Sequence, residues 1–435
     1  MRYIVMSASA AILAAAGLFA WIERYPAIAP IEPPAVSAFD STLIDKGRGL
    51  VALGDCAVCH TRPGGGVFAG GLKLPTPFGV IYSTNITPDP KTGIGRWSEA
   101  AFTRAMHDGI DRGGNYLYPA FPYDHFTKVT NDDIKAIYAY LMTRTPVTFS
   151  APKNELIFPI RYRFVVAGWN LLFLRHGVFT PDPSKDTKWN RGAYLVEGLG
   201  HCGGCHTPRN FAGAEKHSQP YAGGEAEGWH APALNDASPA PLPWSSDALI
   251  NYFLDGWDKD HGIAGGPMTD VVNELAALPE SDVSAIATYI LSFQNQLDLS
   301  ARTKSASAFA AEREFNGPVT PMSGPPNRDA ATAAGRGQAL FAKSCANCHR
   351  AGGQTVPLAL TSTVNGPDPR NLIHVISRGI QPPKGSPDQS MPAFGGSLSD
   401  DNFADLVAFV RHHFSKQPAW SGIPALVKST RSANN

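Results

Sequence analysis

The sequence predicts a mainly α-helical protein: three tandem copies of one domain behind an N-terminal membrane-anchor helix. Three observations carry this expectation. A Cys-x-x-Cys-His string occurs three times at near-even spacing, the same helix-like stretches recur around each string, and the N-terminus holds an uncharged run of twenty residues. The 435 residues are too many for one small domain and suit about three. Lys plus Arg (37) balances Asp plus Glu (37), which argues against a nucleic-acid binder, since that needs a basic excess. With 42 Gly, 37 Pro and only 17% charged residues, the chain reads as loop-rich and compact rather than as a coiled coil. An apolar content of 43% excludes wholesale disorder.

All six cysteines fall in the three strings: Cys56-Ala57-Val58-Cys59-His60, Cys202-Gly203-Gly204-Cys205-His206 and Cys345-Ala346-Asn347-Cys348-His349. None is left for a disulfide or a separate zinc site. Cys-x-x-Cys on one helical turn presents both sulfurs to one porphyrin edge, where they can add across the two vinyl groups of a haem. The next residue, His, then points at the iron. A thioredoxin-like redox pair or half a zinc site could explain one Cys-x-x-Cys, but neither requires His after the second Cys three times over. The reading is three covalently bound haem c groups, held by Cys56, Cys59, Cys202, Cys205, Cys345 and Cys348, with His60, His206 and His349 on the irons.

Haem attachment of this kind occurs outside the cytoplasm, so the chain must be exported. Met1-Arg2 is a short basic start, and residues 3–22 carry no charge. That length fits a bilayer-spanning helix and is long for a signal-peptide core. No small-x-small cleavage site stands near its end, and Trp21 and Tyr25 lie where interface anchors are expected. Residues 1–25 therefore read as an uncleaved anchor rather than a removed signal, which places the protein on the periplasmic side of the cell membrane. Residues 26–41 read as a Pro-rich spacer.

The strings lie 146 and 143 residues apart. Each is preceded by a helix-like stretch with Arg-Gly (Arg48-Gly49, Arg191-Gly192, Arg336-Gly337) and followed by an amphipathic run ending in Gly109, Gly256 or Gly379. A closing helix follows in each copy, opened by Asp132-Asp133, Ser281-Asp282 or Asp400-Asp401. Acidic residues there suit the positive end of the helix dipole. Such a domain resembles the cytochrome c fold. The predicted domains are 42–148, 187–297 and 331–415. They are joined by a linker with an apolar helix (149–186) and a second linker (298–330), and a C-terminal tail spans 416–435.

Twelve residues after the repeated Gly stand Phe121, Met268 and Met391. A Met thioether trans to His favours ferrous iron and raises the potential, which suits reversible one-electron transfer. Met268 and Met391 are the expected sixth ligands of the second and third haems; the alternative is that they are core filler. Phe121 cannot bind iron. For the first haem the candidates are Met106, whose counterparts are Phe253 and Ile376, then His125 and Met142, with a five-coordinate haem remaining open. Met106 is the leading choice.

Trp97 and Trp244 are expected to be buried, as haem shields or as capping aromatics. The apolar stretch 158–175, with three arginines, reads as a linker helix covering the first domain, or as a surface for the membrane or a partner. His201, His412 and His413 read as surface residues. The sequon at Asn85-Ile86-Thr87 is discounted as a chance match. No phosphate loop, nucleophile elbow or catalytic carboxylate pair stands out, so no catalytic site of its own is expected.

Three such domains on one anchored chain look like the cytochrome subunit of membrane-bound periplasmic dehydrogenases. Strings typical of that family recur here: Ser83-Thr84-Asn85-Ile86-Thr87-Pro88, Gly93-Ile94-Gly95, Leu117-Tyr118-Pro119-Ala120 and Arg191-Gly192-Ala193-Tyr194-Leu195-Val196. The resemblance implies an electron conduit. A separate catalytic subunit oxidises an alcohol, aldehyde, sugar acid or similar substrate, and electrons leave through the haems to ubiquinone or a terminal oxidase. Many members have Met where this chain has Phe121. The Pro119-to-Tyr123 version is more like the subset whose partner is a molybdenum hydroxylase, of the aldehyde or nicotinate type, with an iron–sulfur subunit. The rivals are a haem peroxidase using an open first haem, and a free-standing anchored shuttle.

Overall fold

The computed structural model describes residues 25–295, 297–317, 333–353 and 355–432, so the anchor expected in residues 1–25 lies outside the described residues except for Tyr25. Among the described residues no helix is long and apolar enough to cross a membrane. They form two compact units. The first runs to Ser184 and includes Ala193–His201; the second comprises Lys185–Gly192 and everything from Cys202 on.

In the first unit, α1 (Ser41–Leu53) is capped by the Asp40 carboxylate, which accepts from the Thr42 N–H. The short α2 (Cys56–His60) follows, then an antiparallel hairpin, β1 (Lys73–Thr76) and β2 (Gly79–Tyr82), with Lys73 opposite Tyr82. Ser98 caps α3 (Glu99–Asp108), and Gly109 ends it at φ 64°, where a Cβ would be strained. The chain continues through α4 (Tyr123–Phe126) to α5 (Asn131–Met142), which is capped by Thr130 and carries Asp132 and Asp133 in its first turn. The strand β3 (Glu155–Leu156) joins the edge of β2, and α6 (Val165–Phe173) follows. The next helix, α7 (Thr187–Glu197), contributes its first residues to the second unit and its last to the first.

The second unit continues with α8 (Gly203–His206), the hairpin β4 (Gly224–Ala226) and β5 (Trp229–Ala231), and α9 (Ser246–Asp255), capped by Ser245 and ended by Gly256 at φ 75°. A small hairpin, β6 (Trp257–Asp258) and β7 (Gly262–Ile263), leads to α10 (Pro267–Leu275) and α11 (Glu280–Leu291). Then come α12 (Leu299–Glu312), α13 (Ala333–Ser344), α14 (Ser362–Asn365), α15 (Arg370–Arg378), α16 (Asp400–Phe414) and α17 (Ile423–Ser432). The stretches expected to be linker and tail are thus partly helical. Phe309 of α12 and Val427 of α17 belong to the same buried cluster as Phe341, Phe403 and Leu406. A region of roughly 85 residues has little core of its own. Each such apolar side chain taken from water adds about 2 kcal/mol.

One helix crossing occurs three times. A Cβ on Gly47 would lie 2.0 Å from the Ala136 carbonyl oxygen, one on Gly192 2.0 Å from that of Ala285, and one on Gly337 2.2 Å from that of Asp405. The residue before each glycine is basic and pairs with the closing helix: Lys46 with Asp133 at 2.6 Å, Arg191 with Asp282 at 2.8 Å and Arg336 with Asp405 at 2.6 Å. This corrects the expected alignment in the first copy. The counterpart of Arg191-Gly192 is Lys46-Gly47, not Arg48-Gly49, and Arg48 pairs locally with Asp45 at the surface.

Candidate haem-binding sites

Each Cys-x-x-Cys-His string makes a single tight turn. His206 N–H bonds to the Cys202 carbonyl (3.0 Å) and His349 N–H to the Cys345 carbonyl (2.9 Å), the i→i+4 pattern; Cys56–His60 is helical throughout. All six thiols are free of disulfides. Burial pushes the Cys345 thiol up to about 12, with the Cys348 thiol a smaller contribution.

The histidines are oriented from behind. His60 Nδ1 lies 2.6 Å from the Thr84 carbonyl oxygen and His206 Nδ1 lies 2.7 Å from that of Pro232. His349 Nδ1 is 3.4 Å from the Thr355 hydroxyl oxygen, whose proton goes to the Cys348 carbonyl (2.8 Å). Burial holds all three imidazoles below the usual histidine range, and the carbonyl bonds of His60 and His206 oppose this only in part. A neutral ring with Nδ1–H bonded to oxygen presents Nε2 as the lone-pair donor, the form that binds a metal. Two thiols and one such imidazole per turn match the donor set of a covalently attached haem c. The cytochrome c fold implies that group.

The first two turns are cradled alike. Gly70 N–H bonds to the His60 carbonyl (2.7 Å) and Gly223 N–H to the His206 carbonyl (2.8 Å). Phe68 and Tyr221, both left-handed at φ 64° and 55°, donate their N–H to the hydroxyls of Thr61 and Thr207. A hairpin follows in each case, β1–β2 or β4–β5, and just beyond it lies the carbonyl that holds the histidine. Sequence reasoning missed these hairpins, and Thr84 and Pro232 with them. The doublets Gly70-Gly71 and Gly223-Gly224 were the available signal.

Met268 sits at the start of α10 behind Gly266, whose φ of 59° admits the indole of Trp229 where a Cβ would be 2.4 Å away. Met391 is paired by both main-chain hydrogen bonds to Ile380, next to Gly379. Both methionines are half-buried. In the first copy Phe121 packs against Phe126 (5.3 Å between centroids) and Tyr123. Tyr123 is fully buried, fills the space above Gly109 and donates its hydroxyl to Asn170 at 2.6 Å. Met106 on α3 and Met142 on α5 are buried. His125 is buried too, with Nδ1 3.0 Å from the Glu197 carbonyl oxygen.

Several secondary expectations need correction. Trp97 and Trp244 are half-buried, not buried, and Trp244 stacks on His261 at 3.7 Å. His201 and His413 are half-buried rather than surface residues. His201 packs edge-on to Phe126 and His413 stacks on Phe409. Asn85 is buried, and its amide donates to the Val147 carbonyl (2.7 Å) and the Thr92 hydroxyl (3.0 Å), so it is a latch for the loop carrying Thr84.

Residues 44–145 match the cytochrome c family model, and residues 332–410 match that of cytochrome c oxidase, cbb3-type, subunit III. The chain is 46% identical over 412 residues to a nicotinate dehydrogenase subunit of Pseudomonas putida; this covers 93% of the chain but only 33% of that relative, so the chain spans about a third of it. It is 37% identical to the gluconate 2-dehydrogenase cytochrome c subunit of Pantoea cypripedii, covering 86% of each. The fructose dehydrogenase cytochrome subunit of Gluconobacter japonicus is 35% identical, with 90% of this chain and 83% of that one covered.

Proposed function

The chain belongs to the cytochrome c subunits of membrane dehydrogenases, and from that premise we propose that it is a tri-haem electron conduit. Its three domains span 42–148, 187–297 and 331–415. It takes electrons from the catalytic subunit of a membrane-bound dehydrogenase and delivers them to ubiquinone or a terminal oxidase. The chain sits on the periplasmic face, held by residues 1–25. The similarity to a protein named as a subunit of nicotinate dehydrogenase, together with the Pro119-Ala120-Phe121-Pro122-Tyr123 string, supports a molybdopterin partner of the aldehyde or nicotinate type with an iron–sulfur subunit.

One haem c per turn supplies reversible one-electron chemistry at its iron. The protein's residues do the rest. Cys56 with Cys59, Cys202 with Cys205, and Cys345 with Cys348 fix the group in place. His60, His206 and His349 would supply the imidazole ligands, oriented by Thr84, Pro232 and Thr355. Met268 and Met391 would complete the second and third sites with a thioether, which raises the potential, and Met106 would complete the first. The observation that carries this reading is the pairing of two cysteine thiols with an Nδ1-anchored imidazole at each turn.

Purification from membranes in mild detergent tests it. The alkaline pyridine spectrum should give three haem c per chain, and mass spectrometry should find a large molybdopterin subunit and a small iron–sulfur protein bound. A flavoprotein or quinoprotein partner would keep the conduit and change the substrate class. Two haems per chain, or no partner at any detergent strength, would contradict it.

A further inference from the structure

The helix α6 is apolar on both faces, yet the protein covers only one. Val166, Ala167 and Leu174 are buried, and Asn170 on the same side accepts the Tyr123 hydroxyl. The outward side carries Phe164, Leu171 and Leu172, which are 62%, 72% and 73% exposed. The preceding strand exit continues the surface with Ile157, Phe158 and Tyr162, also exposed. A helix facing water has a polar outer stripe; one that is apolar all round is covered on both sides. No acidic residue occurs from 156 to 181, while Arg161, Arg163 and Arg175 do. Arg161 lies over the Tyr162 ring at 5.1 Å and Arg163 over that of Tyr118 at 5.4 Å. Exposed Phe and Leu with interleaved Arg and Tyr is the composition of a segment lying in a bilayer interface.

Its position points the same way. Tyr25, the residue directly after the uncharged run 3–22 and its Glu23-Arg24 pair, packs edge-on against Tyr116 at 5.9 Å. Tyr116 is buried in one cluster with Val166 and Ala167, and its carbonyl accepts from Arg163 at 2.5 Å. The Tyr118 hydroxyl donates to the Ile160 carbonyl at 3.0 Å. The chain thus enters the first unit next to α6, through Tyr25 and Tyr116. We infer that residues 157–172 form a second membrane contact, lying flat on an anionic bilayer next to the anchor. This rests on the reading of residues 1–25 as an anchor.

The test uses the full haem-loaded chain in phosphatidylethanolamine–phosphatidylglycerol vesicles doped with a diazirine-bearing phospholipid, with adducts mapped by mass spectrometry. Adducts are expected on residues 3–22 and on 157–172. Only the second set should fall when phosphatidylglycerol is replaced by a neutral lipid. Arg161→Gln and Arg175→Gln should each weaken it about fivefold, equivalent to ~1 kcal/mol per charge at such a surface. Leu171→Glu with Leu172→Glu should abolish it without changing the haem spectrum. Adducts on 3–22 and none on 157–172 would overturn the contact and leave the anchor intact. The reverse pattern would uphold the contact and remove the anchor. Cross-linking of 157–172 to a catalytic subunit in place of lipid would assign this face to protein and overturn the inference.

Discussion

The first and second Cys-x-x-Cys-His turns are alike on the histidine side and unlike on the other. Behind the histidine, both use a glycine N–H on the His carbonyl, a left-handed aromatic residue held by a threonine hydroxyl, and a hairpin delivering a carbonyl to Nδ1. Twelve residues after the helix-ending glycine, the second offers Met268 just after Gly266, which packs on Trp229, whereas the first fills the matching stretch with Phe121, Tyr123 and Phe126. The histidine side is built within about thirty residues of the motif, so its geometry travels with it. The stretch that carries Met268 or Phe121 follows the end of α9 or α3 and the loop beyond, and under the proposed ligation one substitution there would change the ligand without touching attachment. On that reading the potential would be tuned at one site while the scaffold stays constant.

Breaking the shared frame should have the largest effect. Gly47→Ala and Gly192→Ala place a methyl about 2.0 Å from a main-chain oxygen. Each should cost about 3 kcal/mol, the upper range for overpacking, read as a loss of denaturation midpoint for the haem-loaded chain. Removing Asp133 comes next: its carboxylate is buried, pairs with Lys46 and accepts from the Tyr194 hydroxyl. Asp133→Ala should cost about 2 kcal/mol, because the buried Tyr194 hydroxyl loses its nearest acceptor and keeps the longer contact to the Thr130 hydroxyl.

The difference between the two sites is sharpened by redox titration of variants. Met268→Leu should lower the potential of one haem on the order of 100 mV, well within the span that axial ligands command, while Phe121→Leu leaves all potentials unchanged. The smallest effect concerns acid. Hydrogen bonds from the hydroxyls of Thr148 and then Thr92 hold the Asp89 carboxyl at about 2. A carboxyl depressed in the fold stabilises above its unfolded value near 4 and loses that contribution as pH falls toward 2. The loop of the first unit should therefore weaken between about pH 4 and pH 2, and Asp89→Asn should flatten that slope in thermal melts.

Much of this was legible in the sequence, for physical reasons. The thiols, histidines, terminating glycines and acidic helix starts act locally, so spacing along the chain reveals them. Thr84 and Pro232 act through main-chain oxygens and leave no side-chain signature. The strands around them, four and three residues long, are too short to show alternation. In the first copy the crossing glycine lies two positions before the expected one, because Arg48-Gly49 copies the letters while Gly47 makes the contact. The helices α12 and α17 fell in stretches expected to be linker and tail, since their apolar residues gain partners only from the distant core.

The most direct test of the conduit is a spectroelectrochemical titration of the purified chain with each haem resolved. The account predicts three one-electron steps, two of them lowered separately by Met268→Leu and Met391→Leu and the third altered by Met106→Leu but not by His125→Ala. Fewer than three steps, or a first haem indifferent to Met106→Leu, would contradict it.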